Sequence, residues 1–310
     1  MRDRIAAIVG LTACGKTELS ICVAKRLDAE IVSADSVQIY KRLDIGSAKP
    51  THEEMQGVVH HLIDCIPIKR NDFSVAEYQK LAFAAIDDIV SKEKLPLIVG
   101  GSGLYINSIT RPMDFTQALA DESFRLLWQN REAQNKGCAH AQLKIIDPHA
   151  AAKLHPNDIK RTIRALEVYH VTGKTITQYG IENAAESPRY DSTIIGLNMP
   201  RELLYERIER RVDSMIAAGL IDEVRSILDD GIDPNSLSLQ GLGYKELIAA
   251  FQGVYSIEEA IADIKLKTRH FAKRQLTWFK KDERIHWIDV SSCSAAKTAE
   301  KIIDLIKLNI

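Results

Sequence analysis

The chain has 310 residues, a formal net charge of −1, 45% hydrophobic and 27% charged residues, which suits one large or two modest globular domains. That balance excludes a nucleic-acid partner held by overall charge, so any such contact must come from a local patch. Five scattered cysteines (Cys14, Cys22, Cys65, Cys138, Cys293) with no C-x-x-C pair argue against a disulfide framework and a structural zinc site.

In chain order, residues 4–10 (RIAAIVG) predict a first strand and residues 16–27 the helix after it. Residues 30–35, 61–66 and 95–100 predict further strands, short apolar runs bounded by turn residues. Residues 75–92 predict a helix with Leu81, Ala85, Ile86 and Ile89 on one face. Apolar strands alternating with helices point to a parallel sheet covered on both faces. From 111 to 191 the texture is helical and polar with no strand, which predicts an inserted all-helical subdomain within a core built from 1–110 and 192–310. Residues 192–199 return as a strand, then helices are expected through 201–229 and 257–281, a strand at 285–290 and a helix at 295–308. The expected fold class is α/β, a P-loop NTPase-like parallel sheet flanked by helices. No stretch approaches the roughly 20 apolar residues of a membrane span. The apolar run at the amino end is too short for a signal peptide, so a soluble, cytoplasmic chain is expected, with a monomer as the default.

Gly10, Leu11, Thr12, Ala13, Cys14, Gly15, Lys16 and Thr17 match G-x-x-x-x-G-K-[ST] without a mismatch, between a strand and a helix. Glycines let successive backbone N–H groups converge on phosphate oxygens, and the helix N-terminus adds partial positive charge. Lys16 supplies a point charge, and the Thr17 hydroxyl is a candidate Mg²⁺ ligand. The usual owner of such a loop is a nucleotide-using enzyme. Here the strand at 95–100 ends in Gly100, Gly101, Ser102 and Gly103 rather than in a Walker-B acid. A P-loop small-molecule kinase therefore stays an alternative with its second half missing.

Other motifs come in a fixed order: Asp35-Ser36-Val37-Gln38-Ile39-Tyr40, Asp44-Ile45-Gly46-Ser47-Ala48-Lys49-Pro50, Gly100-Gly101-Ser102-Gly103-Leu104-Tyr105, His155-Pro156-Asn157-Asp158, Gly241-Leu242-Gly243-Tyr244-Lys245 and the run from Thr268 to Trp278. Together with the loop they resemble the successive signatures of the tRNA dimethylallyltransferase family, from about residue 4 to residue 290. Where this chain has Leu11, Cys14 and Ser102, that family usually has Pro, Ser and Thr.

The resemblance implies transfer of a dimethylallyl group from its diphosphate to N6 of adenosine 37 in tRNAs that read codons beginning with U. By that resemblance Asp35 is the acceptor and general base for the exocyclic amine, and Ser102 sits near the breaking C–O bond. Arg211, Lys16, the loop and Mg²⁺ would hold the departing diphosphate. Contacts to the anticodon stem-loop fall on Asp35, Ser36, Val37, Gln38 and Ser102, and on Arg125, Lys160, Arg161, Thr162, Ile163 and Arg164 of the insertion. Gly243, Tyr244, Lys245, Lys273, Arg274 and Gln275 complete the set. The resemblance leaves a related alternative, an adenylate isopentenyltransferase acting on free AMP, ADP or ATP. The basic run of Lys265, Lys267, Arg269, Lys273, Arg274, Lys280 and Lys281, interrupted by no acid after Asp263, favours RNA. Without a zinc finger or organellar presequence, a bacterial enzyme is expected.

Overall fold

The computed structural model describes residues 2–113, 115 and 120–309. Its strands are β1 (Arg4–Gly10), β2 (Ala29–Ala34), β3 (His60–His61), β4 (Leu95–Gly100), β5 (Asp191–Asn198) and β6 (Ile285–Asp289). They form one sheet in the order β3-β2-β4-β1-β5-β6, and every pairing is parallel. The helices of the first half are α1 (Lys16–Leu27), α2 (His52–Met55), α3 (Val75–Ser91), α4 (Gly103–Thr110), α5 (Glu122–Gln134), α6 (Cys138–Ile146) and α7 (Pro148–Lys153). Those of the second are α8 (Ile159–Thr172), α9 (Ile176–Ala185), α10 (Arg201–Ala217), α11 (Leu220–Asp229), α12 (Tyr244–Phe251), α13 (Ile257–Phe279) and α14 (Ala295–Asn309).

The central strand shows why this sequence makes a covered sheet. In β1 every residue from Ile5 to Gly10 is buried. Ile5, Ala7 and Val9 join one core cluster, and Ala6 and Ile8 the other. Successive side chains point to opposite faces of a strand, so a strand buried on both sides has to be apolar throughout. α3, α4, α11, α12 and α13 supply the first cluster, while α1, α14 and part of α10 supply the second.

The chain falls into two compact units, residues 1–110 with 189–310, and residues 111–188. The second unit is helical, α5 to α9, around Trp128, Leu143, Ile163 and Leu166. Residues 114 and 116–119 of the predicted insertion, with Met1 and Ile310 of the predicted core, lie outside the described residues.

Three local expectations are corrected. The strand expected at 61–66 is only His60–His61, because Leu62 and Asp64 adopt φ of 62° and 55°, a region closed to extended backbone. The buried face of α3 is Tyr78, Ala82, Ile86 and Ile89, and Leu81 is exposed. Tyr78 takes the inward position by stacking on Tyr105 at 3.7 Å and donating its hydroxyl to the Ser33 carbonyl at 3.0 Å. The helical run 201–229 is two helices, divided at Gly219, whose φ is 98°.

Candidate active site

The carboxyl ends of three adjacent strands, β2, β4 and β1, carry the loops that build the site, at the point where the strand order reverses. After β1, Ala13 and Gly15 both take left-handed backbone, with φ of 63° and 90°, which turns successive N–H groups toward one concavity. The Leu11 and Cys14 side chains are only 2% and 1% exposed. Both departures from the family loop are thus turned into the core, and the loop offers its backbone, Thr12, Lys16 and Thr17 instead. Lys16 Nζ donates to the carbonyls of Gly10 at 3.2 Å and Leu11 at 2.6 Å. Burial draws its ammonium below the usual lysine value; the like charge of Arg211 lowers it further, while Cys14 and Asp35 oppose the shift.

After β2, Asp35 Oδ1 accepts the N–H groups of Val37 at 2.8 Å and Gln38 at 3.2 Å. One carboxylate oxygen therefore shapes the turn, and Oδ2 has no hydrogen-bond partner among the described residues. After β4, Ser102 Oγ accepts the Ser36 N–H at 3.1 Å and donates to Ser36 Oγ at 3.3 Å, tying the two loops together. From α10 comes Arg211. Burial lowers its pKa, against the pull of Asp35 and Cys14, and a guanidinium remains charged regardless.

Beside the phosphate loop lies a cleft of about 310 Å³. Asp35, Ser36, Val37, Ser102, Thr12 and Arg211 line it, and so does an apolar wall of Ile208, Val212 and Met215 from α10 with Ile264 and Phe271 from α13. Gly241, Leu242, Gly243 and Lys245 contribute a further side. The arrangement joins a phosphate cradle, an acceptor carboxylate, a half-buried cation and an apolar wall.

Several residues expected to contact tRNA are buried or internally bonded in the structure. Tyr244 is fully buried and donates its hydroxyl to Glu223 at 2.8 Å, so its ring belongs to the core. Gln275 is also buried and bonds the phosphate loop rather than solvent. Thr162 and Ile163 are 1% and 4% exposed, facing the interior of the helical unit, because α8 turns its 162–163 and 165–168 positions inward. Lys160 and Arg161 stay exposed. Arg125 and Arg164 reach the fully buried Glu167 at 2.8 Å and 2.6 Å.

The basic α13 is less unbalanced than its sequence. Lys265 pairs with Asp213 at 2.6 Å and Arg269 with Glu209 at 3.3 Å, both acids on α10. Lys267 pairs with Asp263 at 2.7 Å and Glu246 at 3.1 Å. Lys273 and Arg274 are exposed and have no ion pair among the described residues. Trp278 is 41% exposed and lies against Gly103, where an added Cβ would come within 2.3 Å of its ring. Among the described residues, one cluster of metal-ligand types occurs, Glu30, His61 and Asp88. Lys92 and Lys94 already supply its positive charge, and it sits at the amino end of β2, away from the cleft.

Sequence reasoning missed the apolar wall. Its only signal is the spacing of Ile208, Val212 and Met215 around Arg211, a helical stripe that ordinary core would share.

A parallel sheet whose central strand opens into a phosphate cradle, faced by a carboxylate and an arginine, defines a P-loop-type α/β transferase. A family model described as IPP transferase matches residues 38–282. A tRNA dimethylallyltransferase of Alkaliphilus oremlandii is 48% identical over 305 residues, covering 98% of this chain and 96% of its own. The full-length tRNA isopentenylpyrophosphate transferase of Bacillus halodurans superposes with a TM-score of 0.76 at 41% identity, over 100% of this chain and 97% of that one. A eukaryotic dimethylallyltransferase captured acting on tRNA superposes with a TM-score of 0.85 at 26% identity, over 99% of this chain and 80% of that one. The chain belongs to the IPP transferase family and is a prenyltransferase. No helix of the described residues is long and apolar enough to cross a membrane.

Proposed function

We propose that the protein transfers the dimethylallyl group of dimethylallyl diphosphate to N6 of adenosine 37 in tRNAs reading codons that begin with U. The observation that carries this reading is the cleft itself. It sets Asp35 and Arg211 beside an apolar wall of Ile208, Val212, Met215, Ile264 and Phe271.

The exocyclic amine is a weak nucleophile because its lone pair is delocalised into the purine. Asp35 Oδ2 accepts a hydrogen bond from that amine and takes its proton as the new C–N bond forms. The allylic C–O bond breaks and diphosphate leaves with the electron pair. Arg211, Lys16 and the loop N–H groups stabilise the charge that builds on its oxygens. Ser102, fixed against Ser36, offers its hydroxyl near the breaking bond. Thr17 is exposed and its hydroxyl has no hydrogen bond among the described residues, so a hard oxygen donor of the kind Mg²⁺ takes stands ready beside the cradle. Mg²⁺ held there would neutralise part of the diphosphate charge.

For the acceptor, the base must leave its stack to reach Asp35. The exposed cations Lys160, Arg161, Lys245, Lys273 and Arg274 supply phosphate contacts. The test is mass spectrometry of an anticodon stem-loop incubated with donor, Mg²⁺ and enzyme. A prenylated adenosine 37 is expected, lost in Asp35→Ala while RNA binding persists. Wild-type turnover in that variant, or preferential prenylation of free AMP, would overturn the assignment.

A further inference from the structure

Glu223 stands in the first turn of α11, outside every motif described above. Its carboxylate accepts three consecutive backbone N–H groups: Asp44 at 3.1 Å, Ile45 at 2.7 Å and Gly46 at 3.2 Å. A fourth donor, the Tyr244 hydroxyl, reaches it at 2.8 Å. Four donors on one carboxylate is a saturated site, stronger than neutral pairs because the acceptor is charged. Burial, and then the charge and hydrogen bond of Glu223, push the Tyr244 hydroxyl well above the usual tyrosine value, so it stays a donor. Packing reinforces the bond, since a Cβ at Gly46 would lie 2.5 Å from the Tyr244 ring.

The segment held this way reaches the cleft. Gly46 and Ser47 line it. The carbonyls of Ser47 and Ala48 accept the Gln38 side-chain amide at 3.2 Å and 3.1 Å, which ties the loop to the turn that begins at Asp35. Gln38 follows Asp35 in the same turn. Neither Glu223 nor Tyr244 touches the phosphate loop.

We infer that Glu223 and Tyr244 form a clamp that sets loop 44–48, whose Gly46 and Ser47 line the cleft beside Asp35, for reception of the acceptor base. Glu223 is thus a positioning residue for the nucleic-acid substrate and is neutral toward the prenyl donor. The inference rests on the prenyl-transfer reading above for its substrate. Its structural half, the restraint of the loop by Glu223, does not depend on that reading.

The experiment compares full-length wild type, Glu223→Gln and Tyr244→Phe. Glutamine keeps the shape but turns an NH₂ toward backbone donors; phenylalanine removes one donor and leaves three. In Glu223→Gln the KM for the anticodon stem-loop is expected to rise by about fivefold or more, with the KM for dimethylallyl diphosphate within about twofold of wild type. Tyr244→Phe moves the same way by a smaller factor. Hydrogen exchange in both variants is expected to be faster at the amides of Asp44, Ile45 and Gly46 than in wild type. If kcat falls while both KM values hold, or both KM values rise together, the role is merely structural and the inference fails. If Glu223→Gln does not fold, Tyr244→Phe is judged by the same criteria. Unchanged exchange at those three amides sinks the clamp outright. A wild type that prenylates no stem-loop sinks the functional reading instead, and exchange then decides the clamp alone.

Discussion

Gln275 holds Thr12 in place: its side-chain Oε1 accepts the Thr12 N–H at 2.9 Å, while its Nε2 donates to the Gly101 carbonyl at 3.0 Å. One buried amide on α13 thus joins the phosphate loop after β1 to the glycine turn after β4. It also leaves no room for a side chain at Gly101, where an added Cβ would lie 2.2 Å from Nε2. The relative position of cradle and Ser102 depends on this strut.

Gln275→Leu keeps the volume and orphans both backbone groups. Leaving a buried polar group unpaired costs about 1–3 kcal/mol, so urea unfolding is expected to show a lowered midpoint. The donor KM should rise in parallel, because the cradle loses its register. A variant with wild-type midpoint and donor KM would refute the strut.

Arg211 stands in the cleft with no ion pair among the described residues, and its partner there is expected to be the diphosphate. Removing a preorganised donor to developing negative charge costs about 10²–10³ in rate, so Arg211→Ala is expected to lose that much in kcat/KM. Arg211→Lys should recover part of it, since an ammonium supplies charge without the planar fork. Steady-state kinetics with varied donor check this. Activity of Arg211→Ala near that of wild type would mark Arg211 as a solvated charge only.

Glu167 gives the helical unit a pH dependence. Burial alone would raise its carboxyl, but hydrogen bonds from Arg164, the Asp121 N–H and Arg125 outweigh that and hold it below the usual glutamate value of 4.5. A carboxylate with a depressed folded-state pKa contributes stability that is full above its unfolded pKa. That contribution fades as pH falls through the folded value. Glu167→Gln should therefore melt below wild type at neutral pH, and the gap should close as pH drops below 4.5. Thermal melts over a pH series measure it; a gap that widens in acid would contradict the assignment.

The cations of α13 separate into two groups by their partners. Lys273→Ala is expected to reduce the slope of log affinity against log salt for tRNA by about 1, the signature of one lost phosphate contact. Lys265→Ala, whose ammonium already faces Asp213 at 2.6 Å, should change that slope far less. Binding titrations at several salt concentrations distinguish them. Equal slope changes in the two variants would mean that the ion pair opens on binding.

Much of the fold was legible in the chain because its signals are local. Apolar runs of strand length, helices between them and a glycine-rich turn placed β1, α1 and β4 at their observed bounds. The same signals failed where the decisive interaction was not local. His61 to Ile66 has the composition of a strand, but positive φ at Leu62 and Asp64 breaks it after two residues. Leu81 is as apolar as a core residue should be, yet the stacking of Tyr78 on Tyr105 rotates α3 to leave it outside.

The phosphate loop shows what the sequence determined by itself. Its function lies in backbone N–H groups whose directions are set by a few consecutive residues, so the stretch from Gly10 to Thr17 is enough to specify a cradle. Only the tertiary structure decided what surrounds that cradle. Asp35 proved to be both turn cap and cleft wall, with Oδ1 taken up by the turn. Tyr244 and Gln275 became internal ties. The basic run on α13 was partly neutralised by Asp213, Glu209 and Glu246, acids that lie on α10 and α12. Periodicity tells which face of a helix is apolar or charged, but not which distant element will cover it, and in this protein the covering elements choose the contents of the cleft.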